Sequence, residues 1–225
     1  VAASVALSDT VLTFSSLGST TQLTATVKDA NDATMASATV NWVTSDALVA
    51  TISEEGLVTS VGNGSATVTV TSGAFSRTAT VTVAQVATSV TVSPTSLSFS
   101  SIGATSTLTA TVKDVSGTVI TNPSVTWSSS DASVATVSGA GIVTSINNGT
   151  AVITATSGSG SATASVTVAQ VASTVEVSPG SLALEGIGAT ATLTATVKDA
   201  GGTAVSGAVV AWTTSAASVA TVSSA

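Results

Sequence analysis

Apolar and polar residues alternate with a period of two along most of this chain. From Gln22 to Lys28, Leu23, Ala25 and Val27 fall on one side, and Gln22, Thr24, Thr26 and Lys28 on the other. Ala66, Val68 and Val70 alternate with Thr67, Thr69 and Thr71; Ala79, Val81 and Val83 alternate with Thr80 and Thr82; Val40 and Trp42 flank Asn41. Such alternation marks strands buried on one face only. The β-branched Val and Thr that fill them suit a pleated, half-buried surface. Shorter strands are predicted at 3–8, 10–15, 48–52 and 57–61, and no segment carries a helical period. Gly18, the Asp29–Asp32 stretch, Gly56, Gly62-Asn63-Gly64 and Ser72-Gly73 punctuate the strands as turns. About seven short strands with turns every 8–12 residues or so predict an all-β sandwich.

The pattern then repeats at a fixed step. Trp42, Trp127 and Trp212 lie 85 residues apart (127 − 42 = 212 − 127), as do Lys28, Lys113 and Lys198, and Gly18, Gly103 and Gly188. LTATVKD recurs at 23–29, 108–114 and 193–199, SVATVS at 133–138 and 218–223, and Gln85 returns as Gln170. A unit of this length is a small domain and not a solenoid turn. The predicted organisation is repeat 1 at 1–85, repeat 2 at 86–170, and an incomplete repeat 3 at 171–225 that lacks its C-terminal strands. Ala225 matches Ala140, so the third copy is expected to continue in the natural protein or to be completed by another chain. Pro94 and Pro179 stand where repeat 1 has Asp9; proline there predicts a break at which the first strand leaves one sheet for the other.

The joints read VTVAQVATSVTV at 81–92 and VTVAQVASTVEV at 166–177. Flexible linkers are rich in Gly and Ser. Here the last strand of one domain runs almost directly into the first strand of the next, which predicts a stiff string of beads.

Composition narrows the function. Eleven acidic against four basic residues give a net charge of −7, which disfavours nucleic acid and anionic membrane surfaces. No apolar run approaches the length of a membrane span, so no membrane insertion is expected in this segment. With no Cys and no His, disulfides, thiolate metal sites and His-based catalysis have no residues to use. Outward faces of Thr, Ser and Ala with few charges predict a surface covered by neighbouring copies or by O-linked sugars.

The ordered motifs of the second repeat carry a resemblance: Val90, Val92 and Pro94, then Gly103, LTATVKD, Val125-Thr126-Trp127, Asp131, Gly141 and Asn148-Gly149-Thr150. In this order and spacing the chain resembles the bacterial immunoglobulin-like group 2 (BIG2) repeat along its whole length. The resemblance implies tandem immunoglobulin-like β-sandwiches of extracellular bacterial proteins: adhesin stalks, surface-layer and cell-wall proteins, and also phage tail and capsid proteins. Asp9 in place of Pro and Ala216 in place of Asp are departures from the pattern. The fold by itself implies no ligand.

Candidate chemistry is sparse. Lys28, Lys113 and Lys198 end the same polar strand face, beside turns; with Arg77 they are the only nitrogen bases. Glu54 and Glu55 are an adjacent carboxylate pair that repeat 2 replaces with Gly139 and Ala140. Calcium wants about six to eight oxygens. Asp29, Asp32 and Asp46 offer a few in repeat 1, but Gly117 and Gly202 stand where repeats 2 and 3 would need a second acid, and the joints carry almost none. No cofactor is therefore expected, calcium being the alternative. Trp42, Trp127 and Trp212 are read as structural core markers over a sugar-stacking platform, since a sandwich of this kind packs its Trp between the sheets. Asn63-Gly64-Ser65 and Asn148-Gly149-Thr150 fit a glycosylation pattern but also a turn before a strand.

These readings add up to a non-enzymatic structural or spacer segment of an extracellular bacterial surface or adhesin-type protein. Its expected partners are neighbouring copies or other subunits of a surface assembly. Two alternatives stay open: a phage virion component of tail or capsid, and a module binding carbohydrate or cell-surface glycans through its loops. The 30–39 and 115–124 loops differ between copies, as the last alternative requires.

Overall fold

The structure, a computed structural model, describes residues 1–223; Ser224 and Ala225, the end of the expected third repeat, lie outside the described residues. The first repeat forms β1 (Ser4–Leu7), β2 (Val11–Phe14), β3 (Thr20–Gln22), β4 (Ala25–Lys28), β5 (Asn41–Thr44), β6 (Ala50–Ile52), β7 (Leu57–Ser60), β8 (Gly64–Ser72) and β9 (Phe75–Val83). The second follows as β10 (Ser89–Ser93), β11 (Ser96–Phe99), β12 (Thr105–Thr107), β13 (Thr109–Lys113), β14 (Thr126–Ser129), β15 (Ala135–Val137), β16 (Ile142–Ser145), β17 (Gly149–Ser157) and β18 (Gly160–Val168). The third contributes β19 (Thr174–Ser178) and β20 (Thr194–Lys198). Among the described residues there is no helix.

By internal packing the chain divides into two compact units. One comprises Val1–Thr91, Ala110–Thr126 and Thr156–Ala162; the other comprises Val92–Thr109, Trp127–Ala155 and Thr163–Ala225. The first unit thus holds all of repeat 1 together with one end of repeat 2.

In repeat 1 a four-stranded sheet runs β2-β9-β8-β5, a three-stranded sheet runs β3-β7-β6, and β1 pairs with β4. β2 joins β9 in parallel, with Leu12 opposite Val81 and Phe14 opposite Val83. The other pairs are antiparallel, and the long β8–β9 hairpin pairs Ala66 with Val81 and Val68 with Ala79. Inward residues of both sheets merge in one core of Leu12, Phe14, Leu23, Val49, Ala50, Val58, Ala66, Val68, Ala79, Val81 and Val83. A second cluster of Val5, Val27 and Val70 seats the β1–β4 pair, and Trp42 packs against both clusters.

Two predicted features take a definite form. β1 pairs with β4 and β2 with β9, so the first strand changes sheets between them, around Asp9. The 22–28 stretch keeps its alternation of burial but is two strands: β3 belongs to one sheet and β4 to another. Leu23, wholly buried at the corner, sends its N–H to Gly56 O at 2.9 Å and cannot continue the β4 ladder.

Repeat 2 buries the same positions 85 residues on, from Val90 and Leu97 through Leu108, Val112 and Val143 to Val166 and Val168. Its sheets run β11-β18-β17-β14 and β12-β16-β15. In repeat 3, β19 pairs with β20 from Thr174↔Lys198 to Ser178↔Thr194. Leu182 and Leu184 occupy the places of Leu97 and Phe99. They are 41% and 43% exposed where those are 9% and 7%, because the counterparts of β17 and β18 do not fall within residues 1–225.

Candidate functional site: a repeated carboxylate clamp

Just after β13 the chain turns tightly between Lys113 and Val119, closed by an isolated bridge, and the same bridge recurs at Lys28↔Thr34 and Lys198↔Ala204. The turn needs a left-handed residue, filled by Gly117 (φ 83°) and Gly202 (φ 82°) and, in repeat 1, by Asp32 (φ 64°). Asp visits this region more readily than most residues. The position is therefore set by backbone geometry, which is why glycine replaces the acid that calcium would have wanted.

Asp114, which opens this turn, is 2% exposed. Its Oδ1 accepts hydrogen bonds from Ser116 N at 3.0 Å, Ser116 Oγ at 2.7 Å and Thr118 N at 2.9 Å. Its Oδ2 accepts from Leu17 N at 3.2 Å, in the turn between β2 and β3, and from Gln85 Nε2 at 2.9 Å, just past β9. Gln85 is itself held by Asn63 before β8: its backbone N donates to Asn63 Oδ1 at 2.8 Å, and its Oε1 accepts from Asn63 Nδ2 at 3.1 Å. All of these residues lie in the first compact unit.

The second unit contains the same construction. Asp199, also 2% exposed, accepts from Gly201 N at 3.0 Å, Thr203 N at 2.9 Å, Ile102 N at 2.9 Å and Gln170 Nε2 at 2.9 Å. Gln170 is braced by Asn148 at 2.8 and 3.1 Å. Asp29, at the same place in repeat 1, keeps the turn bonds from Asn31 N (2.8 Å) and Ala33 N (3.0 Å) but is only half-buried.

Burial opposes the charge on Asp114, but the bonds from Gln85, Ser116, Leu17 and Thr118 outweigh it and hold the carboxyl well below the usual carboxylate range. Asp199 is lowered as well, first by the Gln170 amide and the Ile102 N–H, against desolvation, with Thr203 and Gly201 adding. A carboxylate accepting several N–H bonds is ionised at neutral pH and stronger as an acceptor than a neutral group. Chemically the site is a fixed anion that ties one repeat's turn to the preceding repeat's backbone.

The other candidate residues lie apart. Lys28 pairs with Asp32 at 2.9 Å and Lys198 with Glu176 at 2.8 Å, all solvent-facing, so these ion pairs count for little. Asp46 caps its own turn through Leu48 N at 2.9 Å, and Glu55 accepts from Ser53 Oγ at 2.8 Å. Among the described residues no three acidic groups gather as a metal site would need. Trp42 lies on β5 and Trp127 on β14, both half-buried; Trp212 is half-buried outside the named strands. Asn63 and Asn148 precede glycines with φ of 146° at the starts of β8 and β17, and their side chains are engaged with Gln85 and Gln170. Sequence reading placed almost no acid at the joints. The acid arrives from 29 residues further on, and the recurrence of Gln85 and Asp114 at one step was the signal that could have paired them.

Two sandwiches of immunoglobulin type in tandem are what fold and site define. The profile of the bacterial Ig-like domain (group 2) family matches residues 1–83 and 86–168, and the chain belongs to that family. Over 167 residues it is 35% identical to Ice-binding protein 1 of Shewanella frigidimarina, covering 72% of this chain but 18% of that protein. The chain thus spans about a fifth of that relative. Among solved structures it is similar to domains 1–6 of the surface-layer protein SbsC, at 22% identity over 91% of this chain and 32% of that one, with a TM-score of 0.38. It is also similar to the FdeC adhesin of Escherichia coli, at 24% identity over 91% and 75% of the two chains, with a TM-score of 0.42.

Proposed function

We propose that this chain is a non-enzymatic spacer segment of an extracellular bacterial surface or adhesin-type protein, a stiff tandem rod within an assembly of neighbouring copies or other subunits. One observation carries the reading: the buried carboxylate clamp recurs with the same spacing at Asp114 and Asp199, each tied to a Gln of the joint and to a backbone N–H of the preceding repeat. A joint meant to flex has no use for a buried anion whose bonds would break at each bend. Membership of a bacterial Ig-like family supports the surface placement, and a chain without His or Cys supports a role without catalysis. No cofactor is assigned, because the loop carboxylates are committed to their own turns. Ice binding belongs to a relative matched over 18% of its length and is not carried over.

Small-angle scattering on the intact chain tests the rod. The expected result is a pair-distance profile fitted by a single conformation, which Gln85→Ala broadens into an ensemble. A wild-type chain as flexible as one with a Gly-Ser linker in place of 84–88 would overturn the proposal.

A further inference from the structure

The first compact unit carries an open groove of about 560 Å³ beside the clamp. This falls within the range of small-molecule sites, about 300–1,000 Å³. One wall is Asn63 and Gln85; the other is the 120–124 loop, with Thr121, Asn122 and Ser124. Ala87, Ile120 and Pro123 add small apolar surfaces, and no charged residue lines it. Asn122 is held at φ 53°, one of two described non-glycine residues with positive φ. The corresponding residue of repeat 3, Gly207, has φ 72°. The turn thus has a left-handed place that glycine fills at no steric cost, and repeat 2 puts a side-chain amide there instead. The neighbouring loop positions agree: repeat 2 reads Thr121-Asn122-Pro123-Ser124, whereas repeat 3 reads Ser206-Gly207-Ala208-Val209. Repeat 1 reads Ala36-Ser37-Ala38-Thr39 at these places, so only repeat 2 carries a side-chain amide among them.

From this we infer that the groove is a binding site for a neutral saccharide. Amides and hydroxyls supply donors and acceptors for sugar hydroxyls, and the small apolar surfaces suit the C–H face of a pyranose. A charged ligand would find no counter-charge in the lining, and an anionic one would meet the repulsion of a chain of net charge −7. A peptide would want deep side-chain pockets, which this shallow groove lacks. No aromatic residue lines it, so binding rests on hydrogen bonds made in exchange for water and is weak. The expected dissociation constant is on the order of 1 mM. The inference rests on the held joint of the spacer reading, because Asn63 and Gln85 belong to repeat 1 and the 120–124 loop to repeat 2; scattering on the intact chain tests that joint separately.

The test is amide-resolved NMR titration of the intact chain with neutral gluco- and N-acetylglucosamine oligosaccharides, a uronic-acid oligosaccharide and a neutral peptide. The expected result is saturable shifts at Gln85 and at 121–124 with a neutral sugar, weakened at least about five-fold in Asn122→Gly. That variant is expected to fold at least as well, because glycine relieves the positive φ. No saturable shift with any neutral sugar at about ten times the expected constant would overturn the inference. So would shifts unchanged in Asn122→Gly, or equal or stronger binding of the peptide or the uronic acid.

Discussion

Asp114 shows how much one side chain can do when its acceptors are all filled. Five donors converge on two oxygens, and two of those donors come from the preceding repeat. Asp114→Ala would strand the Leu17 N–H and the Gln85 amide, at a cost of about 1–3 kcal/mol. The pH dependence follows from the lowered pKa. A carboxyl depressed in the folded state adds stability above its unfolded value of about 3.9, and that stability is lost as pH falls through the folded value. Asp131, Glu55 and Asp199 are lowered too, so acid weakens more than this site. Comparing wild type with Asp114→Asn isolates it: their difference in chemical unfolding is expected to be constant from pH 7 to about pH 5 and to shrink below about pH 4. A difference independent of pH down to about 2.5 would show that the charge is not what holds the turn.

At the scale of elements, the sandwich is closed by corners as much as by strands. Gly56, at φ 87°, sits against the Leu23 carbonyl, and a Cβ there would also meet Trp42 Cζ2 at 3.0 Å. Gly141 repeats this against Leu108 and Trp127, with Cζ2 at 3.1 Å. The corner residue and the Trp thus share one glycine, which is why the chain breaks at the Leu that opens LTATVKD, between β3 and β4 and between β12 and β13. Gly56→Ala adds a clash to a backbone conformation that L residues avoid, so a loss of about 1–3 kcal/mol is expected in denaturant unfolding. Gly18→Ala serves as the control: its φ is 74°, but nothing lies within 4 Å of its added Cβ. It should cost clearly less, and equal losses would mean the close approach to Leu23 and Trp42 is of no consequence.

At the scale of the whole chain, Leu97 is covered by its pairing with β18, whereas the counterpart of β18 for Leu182 would fall beyond residue 225. Leu97 is packed at 9% exposure while Leu182 is 41% exposed. Leu97→Ala is expected to lose about 2–5 kcal/mol, and Leu182→Ala less than about 0.5 kcal/mol in this chain. Thermal unfolding of the two variants decides the matter; equal destabilisation would mean that repeat 3 has a core of its own within residues 1–225. Ile187, Val209 and Val219 are also largely exposed, in keeping with a repeat whose described strands are β19 and β20 alone.

The sequence by itself determined the step of 85, most strands and the buried set of repeats 1 and 2, because each of these is a local or periodic property. Alternation of Val with Thr decides which face is buried, and a strict repeat carries that decision from Val5 to Val90 and from Val81 to Val166. The break at Leu23 between β3 and β4 was not legible, since it depends on Gly56 in the turn between β6 and β7. The pairing of Gln85 with Asp114 was not legible either, although both residues recur. Only the tertiary structure decided that the acid missing from the joints comes from the next repeat's turn, meeting a backbone N–H 97 residues away. A buried carboxylate takes whatever donors the fold delivers, and no pattern along the chain records which those are.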